Sequence, residues 1–178
     1  EHPRMRCAVL EAFAEAAEAE GVPRVADFNG GDNFGSGYFQ VNQKGGVRWS
    51  AARGFLKPAL KRPNLKLVTG AHVSRLIIEE GRCKGVAWIE KGRSHEARAA
   101  GEVVVSTGAV ATPPLLERSG LGQAERLKAL GVEPVVDLPG VGENLQDHLQ
   151  IRPYFAVSGV PTMNALYASY WRRPLMAL

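Results

Sequence analysis

The order of apolar and polar positions divides the chain into a helical opening, a glycine-rich stretch, a β-patterned middle and a mixed close. Over residues 4–20 alanine, glutamate, leucine and methionine dominate. Met5, Val9, Ala12, Phe13 and Ala16 recur there at helical spacing, which predicts an amphipathic helix with that face inward and Gly21 closing it. Residues 27–39 are rich in Gly, Asn and Asp, which predicts a shaped loop; Phe34, Tyr38 and Phe39 within it either line a small pocket or, the favoured reading, anchor the loop to a core. Ser50 is placed to cap a structural helix over residues 51–60, ending near Pro63.

From Leu65 the pattern takes the period of strands. Residues 65–69, 71–78, 84–90 and 94–100 are separated by turn signals at Gly70, Glu80-Gly81 and Lys91-Gly92, which predicts an antiparallel meander. The meander returns into residues 103–107, the most strand-like run of the chain, so it reads as a layer inserted between two strands of one sheet. Residues 123–130 form a short helix stopped by Gly131, residues 135–138 a short strand, and Pro139-Gly140-Val141-Gly142 a break. A polar turn, Glu143 to His148, precedes a strand-like run over 150–157.

Residues 108–122 stand out because they follow a β-rich run directly. Gly108 lets the backbone turn and come close to a ligand, while Thr112 and Pro113 read as an N-cap hydroxyl followed by proline at the first helical position. Such strand–glycine–helix junctions lie where ligands collect in α/β folds, because the exposed N–H groups and the helix dipole favour anionic or strongly polar groups.

Composition narrows the picture. With 178 residues and 45% apolar content the chain can bury a core, in one or two domains. The net charge of +4 is scattered, without the basic stripe and interleaved aromatics of a nucleic-acid binder. Cys7 and Cys83 lie far apart with no metal-type spacing, which points to free thiols in a reducing compartment and to no metal site. No apolar run is long enough to span a bilayer, and no signal peptide is evident, so a cytoplasmic location is expected, with membrane association left open. The chain starts at Glu1 and ends at Leu178 within an apolar stretch, which suggests an internal fragment.

Four stretches in order resemble the glucose–methanol–choline (GMC) oxidoreductases, which bind FAD and oxidise alcohols. The strongest is Gly108-Ala109, Thr112-Pro113, Leu115-Leu116 and Ser119-Gly120-Leu121-Gly122, similar throughout to that family's second signature. The others run from Gly45 to Ala52, from Leu67 to Val73 and from Leu138 to His148. The resemblance implies an α/β fold: part of an FAD/NAD(P)-binding Rossmann-like domain with an inserted antiparallel β-meander over residues 1–148, and the start of a substrate-binding domain over 149–178.

It also implies cofactor contacts. Val73 would meet the adenine of FAD through its backbone, and Thr107, Gly108 and Ala109 would lie near the adenosine or pyrophosphate, where small residues allow close approach. The family's glycine fingerprint and catalytic histidine have no match here: His2, His72 and His95 do not fit, and Asp147 and His148 look like turn and interdomain hydrogen-bonders. The chain by itself is therefore expected neither to hold FAD tightly nor to turn over substrate. Within the whole protein the resemblance implies alcohol oxidation by hydride transfer to flavin. Gln150 stands where choline-oxidising relatives carry an acidic residue, which favours an uncharged or aliphatic alcohol, and a dehydrogenase is expected although the electron acceptor is open. The alternatives are an FAD-containing lyase of the same family and a non-catalytic binding module.

Overall fold

The structure, a computed structural model, describes residues 1–2 and 6–173. The chain divides into two units, one formed by Glu1–Leu65 with Arg152–Leu178 and the other by Lys66–Ile151.

In the first unit, α1 (Ala8–Ala19) contains neither Gly nor Pro and ends where Gly21 turns to φ +84°. There the Val22 N–H bonds Ala17 O and the Gly21 N–H bonds Glu18 O, a Schellman closure that satisfies the last carbonyls. The inward face differs from the one expected. Ala14 is buried and Cys7, Glu11 and Ala17 are half-buried; of the expected face Val9 is half-buried, whereas Ala12, Phe13 and Ala16 face solvent, and Met5 lies outside the described residues. The reason is polar. Arg24 reaches back to Glu11 at 3.1 Å and Glu18 at 3.3 Å, so the helix presents its charged i, i+7 edge to the following loop.

That loop is shaped as expected. Asp27 Oδ1 accepts from the Asn29 N–H at 2.9 Å and Asp32 Oδ1 from the Phe34 N–H at 3.0 Å. Val25 and Ser36 pair at 2.8 Å, and a Cβ at Gly37 would stand 2.2 Å from Val25 O, so glycine is required for the close approach. Phe39 meets Phe28 in a tilted pair with centroids 4.9 Å apart but is 73% exposed, Phe34 is 65% exposed, and of the three expected anchors Tyr38 is the half-buried one. A hairpin of β1 (Gln43–Lys44) and β2 (Val47–Arg48) turns through Gly45 and Gly46, both at positive φ. Ser50 Oγ accepts from the Arg53 N–H at 3.3 Å, as a cap should, but the helix opens as a π-helical turn (Ala52–Leu56) before the single α-turn α2 (Lys57–Ala59). The last helix of this unit, α5 (Met163–Ala168), is capped by Thr162 Oγ1.

In the second unit the meander is present: β3 (His72–Glu79), β4 (Arg82–Glu90) and β5 (Arg93–Arg98) form an antiparallel sheet in that order. Both hairpins turn through a positive-φ pair, Glu80-Gly81 and Lys91-Gly92, matching the expected turns. β3 is bulged between Val73 and Arg75, with Ser74 the extra residue, and β4 is bulged between Cys83 and Gly85, with Lys84 the extra residue. Leu76 and Ile77 of β3, on opposite faces of the strand, and Ala87 of β4 are buried. His95 stacks on Trp88 across the β4–β5 pair at 5.5 Å.

Helix α3 (Gly108–Arg118) follows, then the strand β6 (Leu121–Gly122), helix α4 (Ala124–Ala129) and strand β7 (Val136–Asp137), with β6 and β7 parallel. Leu127 is fully buried, and α4 ends in a second Schellman closure at Gly131.

Three expected strands are not formed. Residues 65–69, 103–107 and 150–157 have no ladder among the described residues, and Val104 is 77% exposed. A β-rich composition marks a segment able to pair; a strand also needs a neighbour for its N–H and C=O groups, and the meander's hairpins pair only with themselves. The expected layer inserted within one sheet is thus seen as the meander alone.

Candidate functional site

The second unit holds a groove of ≈ 710 Å³. One wall is α3, through Ala109, Val110, Pro113 and Glu117; the other is the loop from Gly140 to Gln146, and Arg126 of α4 closes one end.

The α3 wall is set by its docking on β3. Ser119, buried just past the helix end, accepts the Leu76 N–H at 2.8 Å and donates to Leu115 O at 2.6 Å. Arg118 Nε adds a bond to Ser74 O at 3.1 Å. One N–H and one C=O on the open edge of β3 are thereby met by the C-terminal end of a helix. Leu115, in the last turn of the helix, is buried.

The start of α3 differs from the sequence reading. Thr107, not Thr112, stands at the N-cap, and the helix begins at Gly108, whose φ is +84°. Thr112 Oγ1 instead bonds Thr107 Oγ1 at 2.8 Å, so Pro113 and Pro114 fall inside the helix. Neither proline has an N–H, so the carbonyls of Ala109 and Val110 lack their helical i+4 donors. The first-turn N–H groups are also unused by the helix. The groove end of α3 therefore offers donors and acceptors within a few residues. At Gly108 a Cβ would meet nothing within 4 Å, so the backbone there stands open to a ligand.

The loop wall is held in several ways. Leu138 N–H bonds Gly122 O at 2.8 Å, continuing the β6–β7 pair, and Gly142 (φ +82°) and Asn144 (φ +57°) make the turns. Gln123 Nε2 donates to Pro139 O at 3.2 Å and to Glu143 Oε1 at 3.3 Å. Glu117, mostly shielded, pairs with Arg126 at 3.5 Å, so the groove's charges are largely matched. Asp147 Oδ1 accepts the His148 N–H at 2.8 Å, a turn bond of the expected kind.

Of the four residues singled out by sequence, Ala109 lines the groove. Thr107 and Gly108 begin the helix that forms its wall, and Val73 sits half-buried opposite Trp88 at the β3 bulge. Sequence reasoning missed Ser119, Gln123 and the Glu117–Arg126 pair. The first could have been suspected from a hydroxyl beside the Gly120 turn, but the other two leave no local signal, since their partners come from other elements. Among the described residues no group of three His, Cys, Asp or Glu is placed to hold a metal, and no helix is long and apolar enough to cross a membrane.

Comparison with known proteins gives consistent matches. The family profile described as GMC oxidoreductase matches residues 2–150. Human mitochondrial choline dehydrogenase is 47% identical over 150 residues, covering 84% of this chain and 24% of that protein. The alcohol dehydrogenase [acceptor] of Pseudomonas putida is 44% identical over 143 residues, covering 79% of this chain and 26% of that protein. Among solved structures, pyridoxine 4-oxidase from Mesorbium loti superposes with a TM-score of 0.70 at 33% identity, over 78% of this chain and 28% of that one. An FAD-dependent oxidoreductase from Chaetomium thermophilum gives 0.73 at 28% identity, over 82% of this chain and 26% of that one. The chain spans about a quarter of the length of the curated relatives it matches.

Proposed function

This chain belongs to the GMC oxidoreductase family, and from that premise we propose that it forms one side of the FAD site of an enzyme that oxidises the CH–OH group of an alcohol. The observation that carries the reading is the groove between α3 and the 140–146 loop, on the stretch that resembles the family's second signature. When bound, FAD supplies the hydride acceptor for the oxidation. The chain's own part is binding and orientation. The α3 N-terminus, with unused N–H groups and open space at Gly108, suits an anionic or strongly polar portion of a dinucleotide. The carbonyls of Ala109 and Val110, short of helical donors, suit ribose hydroxyls or an amino group. Val73, Thr107, Gly108 and Ala109 are the cofactor contacts in this reading, residues 1–148 are the cofactor-binding part, and residues 149–178 open the substrate side.

For the substrate, the neutral side chain of Gln150 supports an uncharged or aliphatic alcohol, since it offers no carboxylate to a quaternary ammonium. A second reading, choline, is favoured by the relatives that are choline dehydrogenases. Anaerobic addition of alcohols to the protein expressed from its complete reading frame separates these. Bleaching of a bound flavin by medium-chain alcohols at a higher kcat/KM than by choline supports the first; the reverse order supports the second. Cleavage of a cyanohydrin without bleaching would contradict alcohol oxidation altogether.

A further inference from the structure

Gln123 occupies the N-cap of α4, where Ser, Thr, Asp or Asn is usual, and its side chain makes no capping bond. Capping is done from elsewhere: Asp137 Oδ1 of β7 accepts the Ala124 N–H at 3.0 Å. The Gln123 carboxamide is thereby released to turn the other way, and its nitrogen meets two acceptors, Pro139 O at 3.2 Å and Glu143 Oε1 at 3.3 Å. An NH₂ group carries two hydrogens, and both partners accept only, so the pairing is chemically complete. These two bonds tie α4 to both ends of the turn that leads into the groove's loop wall. On the opposite side that wall leaves room for little more than a methyl group against α3 at Gly142, where an added Cβ would stand 3.7 Å from Pro113 Cβ.

We propose that Gln123 is a positioning residue of the groove, holding the 139–143 turn at its distance from α3 so that the cofactor finds a preformed wall. The proposal rests on the reading of the groove as an FAD site. The ordering of the loop would otherwise be deferred to binding and would weaken it. Glu143 serves as the second anchor, its carboxylate accepting from Gln123 at 3.3 Å.

The test uses the protein from its complete reading frame and two readouts, FAD affinity of the apoprotein by flavin fluorescence and amide hydrogen exchange over residues 139–146. Gln123→Ala removes both bonds and is expected to weaken FAD binding about five- to tenfold while speeding exchange in the loop. Gln123→Glu keeps the size but sets a carboxylate against Glu143, and is expected to do at least as much harm. Adding Glu143→Gln to Gln123→Glu restores a donor–acceptor pair and is expected to recover part of both losses, which a general packing defect would not do. If wild type binds FAD but Gln123→Ala leaves affinity and loop exchange within twofold of it, the clamp is wrong and the FAD reading stands. If wild type binds no FAD, the reading fails, and unchanged loop exchange in Gln123→Ala would overturn the clamp as well.

Discussion

Replacing Ser119 by alanine probes how the candidate site is held together. The Ser119 hydroxyl is buried, at 8% residue exposure, and serves two elements at once: it accepts from Leu76 N–H at 2.8 Å and donates to Leu115 O at 2.6 Å. Removing it leaves the N–H of a buried edge-strand residue unpaired, which costs about 1–3 kcal/mol, and the lost bond to Leu115 O adds roughly 0.5–1.5 kcal/mol. A cavity the size of a hydroxyl adds little. A central value of about 3 kcal/mol corresponds to a roughly 150-fold shift toward the unfolded state, or about 12–24 °C in Tm for a unit of this size. Urea denaturation of Ser119→Ala measures it directly, with exposed Ser94→Ala on β5 as a control expected within about 0.5 kcal/mol of wild type. Amide exchange at Leu76 should accelerate beyond that of other β3 residues. A loss below about 0.5 kcal/mol, with Leu76 still protected, would refute the docking argument.

Other perturbations follow from the same geometry. Leu127→Ala empties a fully buried position and is expected to cost about 2–5 kcal/mol by denaturant titration. Gly120→Ala puts a Cβ 2.6 Å from Val135 Cγ2 at φ +80°, so it should destabilise by more than the roughly 1–2 kcal/mol of a left-handed backbone alone and should loosen the β6–β7 pair in exchange experiments. In the first unit, the hydrogen bond from Arg24 holds the Glu11 carboxyl below the usual range. Because the folded value is the lower one, its contribution to stability is present above the ordinary carboxylate pKa and is lost as pH falls through that value to the depressed one. An NMR titration of the Glu11 side chain should show this, and Arg24→Gln should return the midpoint toward that of a free glutamate.

What the sequence made legible was local. The meander could be read because each hairpin carries its own instructions, a period-2 pattern with Glu80-Gly81 or Lys91-Gly92 at the turn. Both helix stops at Gly21 and Gly131 were readable for the same reason. The inward face of α1 was not. Alanine-rich helices have little apolar contrast, and the deciding contact, Arg24 to Glu11 and Glu18, comes from the next loop. Residues 103–107 show the limit on strands, since composition describes one partner of a ladder and never the other. At the site, the strand–glycine–helix junction pointed to the right stretch of chain, but Thr112-Pro113 imitates a helix start that the fold places at Thr107-Gly108. Ser119 and Gln123 act across elements, which no local pattern records.

The central claim is that the groove at the start of α3 is a wall of the FAD site, and Ala109→Glu tests it most directly. Ala109 is exposed on the groove, and a carboxylate in the first turn of a helix is favourable to the helix itself, so the fold should be retained. The same carboxylate would crowd and repel an anionic cofactor. In the protein made from its complete reading frame, the account predicts at least a tenfold loss of FAD affinity, about 1.4 kcal/mol, with an unchanged urea midpoint. Wild-type flavin affinity in Ala109→Glu would contradict it.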